Sequence, residues 1–250
     1  MNLRQRVLAC AVSSCALFGA ATASAQSATG AERWVIDVGT GINPSINGNV
    51  NSGVIGVYQG QTTAILPHSY GDVYGTGVEF RFGGGYALDN VSEIRAMFIW
   101  QSADADLVRL GDYGQSSLYG QYSDYKSFGL DVGYRRYMPL SSSALRVYAE
   151  ATIGIADVQR INVEFAAPQS QLIANNNDFY DGTAAFTWSI GAGVLFPIAS
   201  KIDINAQLGL RHVGGLAQVD QLVGTGLANI NDNSARLTFP IVVGVRFRFK

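Results

Sequence analysis

The sequence predicts an all-β protein, an eight-stranded antiparallel up-and-down transmembrane β-barrel with four long outer loops and short periplasmic turns. Three observations predict it. Eight segments alternate large apolar residues with small or charged ones, and a period of two places those sets on opposite faces of a strand. The links between segments alternate long and short, as in membrane barrels. Charged residues make up only 14% of the 250-residue chain, against roughly 25% in soluble domains.

The first strand, about Arg33 to Asn43, sets Trp34, Ile36, Val38 and Ile42 against Asp37, Gly39 and Gly41. A long Asn/Gly/Ser/Gln-rich loop without helical periodicity follows, to about Val73. The second strand, about Tyr74 to Leu88, opposes Val78, Phe80, Phe82 and Tyr86 to Glu79, Arg81, Gly83 and Gly85. Leu88-Asp89-Asn90 is a turn by composition. The third, about Val91 to Ser102, opposes Ile94, Phe98 and Trp100 to Glu93, Arg95 and Gln101. After a second long loop comes the fourth, about Tyr125 to Met138, with Phe128, Leu130, Val132 and Tyr134 opposite Ser127, Asp131 and Arg135. Arg136 is an exception on its apolar face, placed to snorkel at the membrane rim.

Pro139 to Ser143 reads as a short turn. The fifth strand, about Leu145 to Asp157, opposes Val147, Ile153 and Ile155 to Arg146, Tyr148, Glu150 and Thr152. A third long link includes Asn175 to Asp178. The sixth strand, about Thr183 to Ile198, carries Phe186, Trp188, Ile190, Val194 and Phe196 on one face; the seventh, about Lys201 to Val213, opposes Ile202, Ile204 and Leu208 to Asp203, Asn205 and Arg211. A fourth long loop leads to the last strand, Leu237 to Lys250, where Leu, Phe, Ile, Val, Val, Phe, Phe alternate with Thr238, Pro240, Val242, Gly244, Arg246 and Arg248.

Each segment is long enough for the ~9–11 residues of a tilted transmembrane strand. A soluble sandwich or lipocalin-like barrel remains the competing class, with the apolar face turned inward. Against it, the other face is mostly Gly, Ser and Thr with isolated charges. Aromatics gather towards the two strand ends, Trp34, Tyr86, Tyr134, Phe196, Phe247 and Phe249 at the short-turn rim and Trp100, Phe186 and Phe239 nearer the other, as interfacial girdles do.

Residues 1–25 have the layout of an export signal: Arg4 and Arg6, an apolar stretch from Val7 to Ala20, then Ala23-Ser24-Ala25. Cleavage after Ala25 is expected, leaving 26–250 as the barrel domain. A lipobox reading of Val12 to Cys15 competes with it. Both cysteines, Cys10 and Cys15, fall in the leader, so the mature chain has no thiol chemistry. Losing Arg4 and Arg6 moves the formal charge from −2 to −4, and nothing points to a nucleic-acid partner.

The inward parity nearest mid-strand carries Asp37, Glu79, Arg81, Arg95, Asp131, Glu150 and Arg246. They form a candidate luminal charge cluster. Eight strands leave an interior just wide enough for side chains to fill. Ion pairs that plug the lumen are therefore the favoured reading, and a gate or narrow polar path the alternative. Catalytic sets are thin: His68 and His212 are the only histidines, neither in metal-ligand spacing. Asp104, Asp106 and Asp112 lack the spacing of an EF-hand, and neither cofactor nor metal is expected.

The alternate hydrophobics running up to Phe249 resemble the C-terminal strand of bacterial outer-membrane barrels, although Lys250 follows the aromatic. The whole mature chain resembles the small eight-stranded outer-membrane barrels of the OmpA/OmpX type and the opacity-like surface proteins. That resemblance implies a monomer in the cell outer membrane, surrounded by lipid and lipopolysaccharide. It also implies handling by the barrel-assembly machinery through the last strand, an extracellular ligand on the loops, and no enzymatic activity. A structural or surface-interaction role is the first expectation; a porin-like narrow channel for small or apolar solutes is the second. Arg211-His212 weakly resembles the lipid A deacylases, the basis of a third, lipid-modifying reading. Their His-x-Ser serine is Gly214 here and no Glu follows His212, so no catalytic role carries over.

Overall fold

The computed structural model describes residues 33–138, 145–219, 226–231 and 234–250. The expected leader, its cleavage point and the Pro139–Ser143 turn lie outside them. In chain order, β1 (Trp34–Asn47) is followed by β2 (Asn49–Asn51), β3 (Val54–Tyr58), β4 (Gln61–Ile65), β5 (His68–Ser69) and one helical turn, α1 (Tyr70–Tyr74). Then come β6 (Thr76–Ala87), β7 (Ser92–Ala103), β8 (Leu107–Tyr113), β9 (Ser116–Tyr122), β10 (Tyr125–Met138) and β11 (Arg146–Val158). The chain continues through β12 (Ile161–Ala167), β13 (Leu172–Asp181), β14 (Thr183–Ala199), β15 (Ile202–Val213), β16 (Ala217–Gln218), β17 (Arg236–Thr238) and β18 (Ile241–Phe249).

Eight of these positions make a closed ring, β1-β6-β7-β10-β11-β14-β15-β18, every neighbour antiparallel. Closure is made by β1, which holds Tyr86 of β6 opposite Trp34 on one side and Phe249 of β18 opposite Trp34 on the other. Closing the ring removes the unpaired edges an open sheet would expose to lipid. The last stave is β17 and β18 together, interrupted at Pro240, which has no N–H to give to the ladder.

The wall is apolar outside and polar inside. Trp34, Phe80, Phe82, Phe98, Leu130, Ile153, Phe186 and Ile190 are exposed, whereas Asp37, Glu79, Glu93, Asp131, Arg135, Asp203 and Arg246 are buried. That polarity excludes the soluble alternative, since a water-soluble barrel would bury the first set. The aromatic rim at the short-turn end is also present: Trp34 meets Tyr86 edge-on at 4.9 Å between ring centroids, and Arg33 Nη1 donates to the Tyr86 hydroxyl at 3.1 Å. Arg136 is exposed at the same end, with Nη1 3.5 Å from the Tyr134 hydroxyl.

Three of the four long connections are not open loops. They fold into hairpins, β3–β4, β8–β9 and β12–β13, which with β16 form a seven-stranded sheet in the order β16-β13-β12-β9-β8-β4-β3. Here the polarity reverses. Along β9, Leu118 and Tyr122 are buried while Ser117, Tyr119 and Gln121 between them keep contact with solvent. The inward residues that end the barrel staves, Ala103, Tyr125, Val158, Ala185 and Val213, are the first members of this apolar core. The stretch read as the start of the second strand is α1 instead, so Tyr74 is helical and β6 begins at Thr76. Its cause is local: Ser69 caps the turn by accepting from the Asp72 N–H at 3.2 Å, and the Asp72 carboxylate accepts from the Ser69 N–H at 3.0 Å.

Candidate functional site

All seven luminal residues singled out in the sequence are buried inside the ring. Parity aimed them inward; what matters functionally is whom they reach. Arg95 on β7 donates to Asp37 on β1 at 2.8 Å and also binds Glu150 on β11. Arg135 on β10 joins Glu150 at 2.8 Å. From β18, Arg246 binds Glu93 on β7 and lies 3.8 Å from Asp37. Three carboxylates and three guanidiniums thus interlock at one place, and the Tyr137 hydroxyl adds a donor to Glu93 at 2.9 Å.

Two further groups flank this knot. Towards the long-connection end, Arg211 on β15 binds Asp131 on β10, where the Thr187 and Thr152 hydroxyls also donate, at 2.9 and 3.2 Å. Glu79 takes Arg81 from its own strand and the Gln101 amide at 2.6 Å. At the short-turn end, Asp203 receives Arg146 at 2.7 Å and Arg248 at 3.4 Å.

The contacts β7–β18, β7–β11 and β10–β15 join strands that are not neighbours in the ring, so they cross the lumen instead of running along its wall. Inward glycines make the room. A Cβ on Gly129 would lie 2.9 Å from Arg211 Nη2, and one on Gly85 would collide with the Glu93 carboxylate. In so dry a space a charge is tolerable only when paired and hydrogen-bonded, and the bridging geometry supplies both.

A second layer closes the lumen from above. From α1, Tyr70 and Tyr74 are buried and pack against Tyr125 with ring centroids 6.1 and 6.0 Å away. Their hydroxyls donate to the Ser234 and Ser123 carbonyls at 2.9 and 3.0 Å. Burial pushes both phenol pKa values upward. Beneath them Arg236 is buried with its guanidinium carbon 4.2 Å from the Tyr125 ring centre, donating from Nε to the Ser45 hydroxyl at 2.9 Å. No carboxylate pairs with it among the described residues.

Sequence reasoning had placed Glu93, Arg135 and Arg211 in the lumen but outside the mid-strand set. It missed Tyr137, which shares the parity of Arg135, and Arg236, which lies between the fourth long loop, read to about Asn233, and the last strand, read from Leu237. Elsewhere the candidates stay apart. His212 stacks on Trp188 with centroids 5.4 Å apart and planes inclined by 12°. Asp112 is tied to Arg109 at 2.7 Å. Among the described residues, no three His, Cys, Asp or Glu side chains gather as a metal-ligand set.

The family model described as outer membrane protein beta-barrel domain matches residues 13–249. Among solved structures, the chain is similar to the Neisserial surface protein A at 12% identity, covering 88% of this chain and 99% of that one with a TM-score of 0.46. OprG from Pseudomonas aeruginosa is similar at 10% identity, with coverage of 88% and 96% and a TM-score of 0.49. Ail of Yersinia pestis, solved with the heparin analogue sucrose octasulfate, is similar at 12% identity, 86% and 99% coverage and a TM-score of 0.38. No curated protein matches.

Proposed function

The chain belongs to the outer membrane protein beta-barrel domain family, and from that premise we propose that it is a sealed scaffold rather than a conduit. In this reading the ring anchors the protein in the outer membrane, among lipid and lipopolysaccharide. The folded extension on the long-connection side faces outward and is the working surface. The observation that carries the reading is the set of ion pairs between non-neighbouring strands, backed by the tyrosine layer above them. A path for solute would have to part several buried charge pairs at once, leaving charges unpaired in an enclosed space.

The extension suits a contact role because it is a paired sheet over an apolar core and yet exposes apolar side chains: Ile55 is 76% exposed, Ile173 71% and Leu107 64%. Contacts on loops held by a firm scaffold are a common arrangement. Catalysis has less support, because His212 is stacked on Trp188 and its Nδ1 makes no hydrogen bond. Liposomes carrying the refolded protein test the reading. Swelling in glycine, glucose or glycerol should match protein-free liposomes, and faster swelling in any of them would favour the channel.

A further inference from the structure

The extension contains a feature that neither anchoring nor surface contact uses, a cavity of about 110 Å³ within its apolar core. Its deep wall is made by buried Ile65, Leu118, Val163, Leu227 and Ile230. Tyr58, Phe165 and Val219 line it too but keep part of their surface open to solvent, so the mouth lies on their side. We propose that this cavity is a binding site for a small, uncharged, aromatic molecule of about the size of a benzene ring.

Size, polarity and shape each contribute to that assignment. An apolar cavity of about 150 Å³ stays dry and takes up benzene, and this one is somewhat smaller. Its amide and carboxylate lining residues are already engaged by the protein. Asn231 Nδ2 donates to the Phe179 carbonyl at 2.8 Å, Asn177 Nδ2 to the Val163 carbonyl at 3.2 Å, and Asp178 faces Arg160 at 3.1 Å. A ligand therefore meets mainly carbon, and a charged one would find no free counter-charge. Tyr113 and Phe179, with Tyr58 and Phe165, offer ring faces and edges to an aromatic guest.

The proposal does not depend on the sealed-scaffold reading: swelling of liposomes tests that reading, and ligand binding tests this one.

The experiment is ¹⁹F NMR of fluorobenzene added to the full-length mature protein in lipid nanodiscs, with empty nanodiscs setting the partition background. Two filled variants, Leu227→Trp and Leu118→Phe, serve as controls, each checked for the heat-modifiable gel shift of a folded barrel and for parent-like resistance to trypsin at Arg109, which reports a folded extension. The proposal expects saturable binding above background by the parent protein and at least a tenfold weakening in whichever filled variants pass both checks. Binding indistinguishable from empty nanodiscs, or equal binding by the parent and a folded filled variant, would overturn it.

Discussion

Two buried arginines illustrate how differently the same residue behaves at two heights of the barrel. Arg246 is held by Glu93 and Asp37, whereas Arg236 rests on tyrosine faces and a serine hydroxyl. Replacing Arg246 by Met takes the nearest cation from buried Glu93, and we expect a loss of up to about 3–5 kcal/mol in urea unfolding from lipid vesicles. Replacing Arg236 by Met leaves no acid unpaired, so its change should stay within about 1 kcal/mol. Equal losses would mean that the carboxylate partners do not set the cost. Arg246 was legible in the sequence because it sits in an unbroken alternation beside Gly244 and Arg248. Arg236 was not, because it lies one residue before Leu237, where the apolar alternation that marks the last strand begins.

Elements of the extension were hidden for a physical reason. The barrel staves carry apolar residues on the outside over a dozen residues, a pattern the sequence displays plainly. The hairpins are shorter, and β8 is interrupted by a register shift at Gly111, whose φ of 147° suits glycine. Period-two counting therefore loses phase. The β3–β4 turn uses Gln59 and Gly60, both at positive φ, the geometry of a type I′ hairpin without its usual Asn-Gly signal.

If the hairpins have their own apolar core, Leu118→Asp should unravel them while sparing the barrel. Trypsin should then cut rapidly at exposed Arg109 although the heat-modifiable shift persists; continued resistance would contradict an independent core. The cap of α1 adds a pH dependence. Hydrogen bonds from the Ser69 hydroxyl and then its backbone N–H hold the Asp72 pKa below its ordinary value. Asp72 thus stabilises the turn above the unfolded carboxylate range, and that contribution is lost as pH falls through the lowered folded value. Amide exchange at Tyr70–Tyr74 should quicken on acidification, after allowance for intrinsic rates, and Asp72→Asn should show the same quickening at neutral pH.

At the scale of the whole molecule, one chain carries two opposite polarities. Facing lipid, it is apolar outside and ion-paired inside; in the extension, most strands turn apolar residues inward and polar ones outward. The ring of Ala103, Tyr125, Val158, Ala185 and Val213 marks the change. Barrel class, strand order and the inward aim of Asp37, Glu79, Arg95 and Glu150 were all written in alternation. Which acid meets which base across the lumen was not, because strand tilt and stagger decide that in three dimensions.

The most direct test of the sealed lumen is planar-bilayer conductance of the refolded barrel beside the Arg95→Ala/Arg246→Ala variant, both confirmed as folded by the gel shift. The account predicts a silent parent, and a variant that stays silent too while the tyrosine layer above the lost guanidiniums is in place, although it has lost the joins of β7 to β1, β11 and β18. Steady current through the unaltered protein would contradict it, and the luminal charges would then be the lining of a pore.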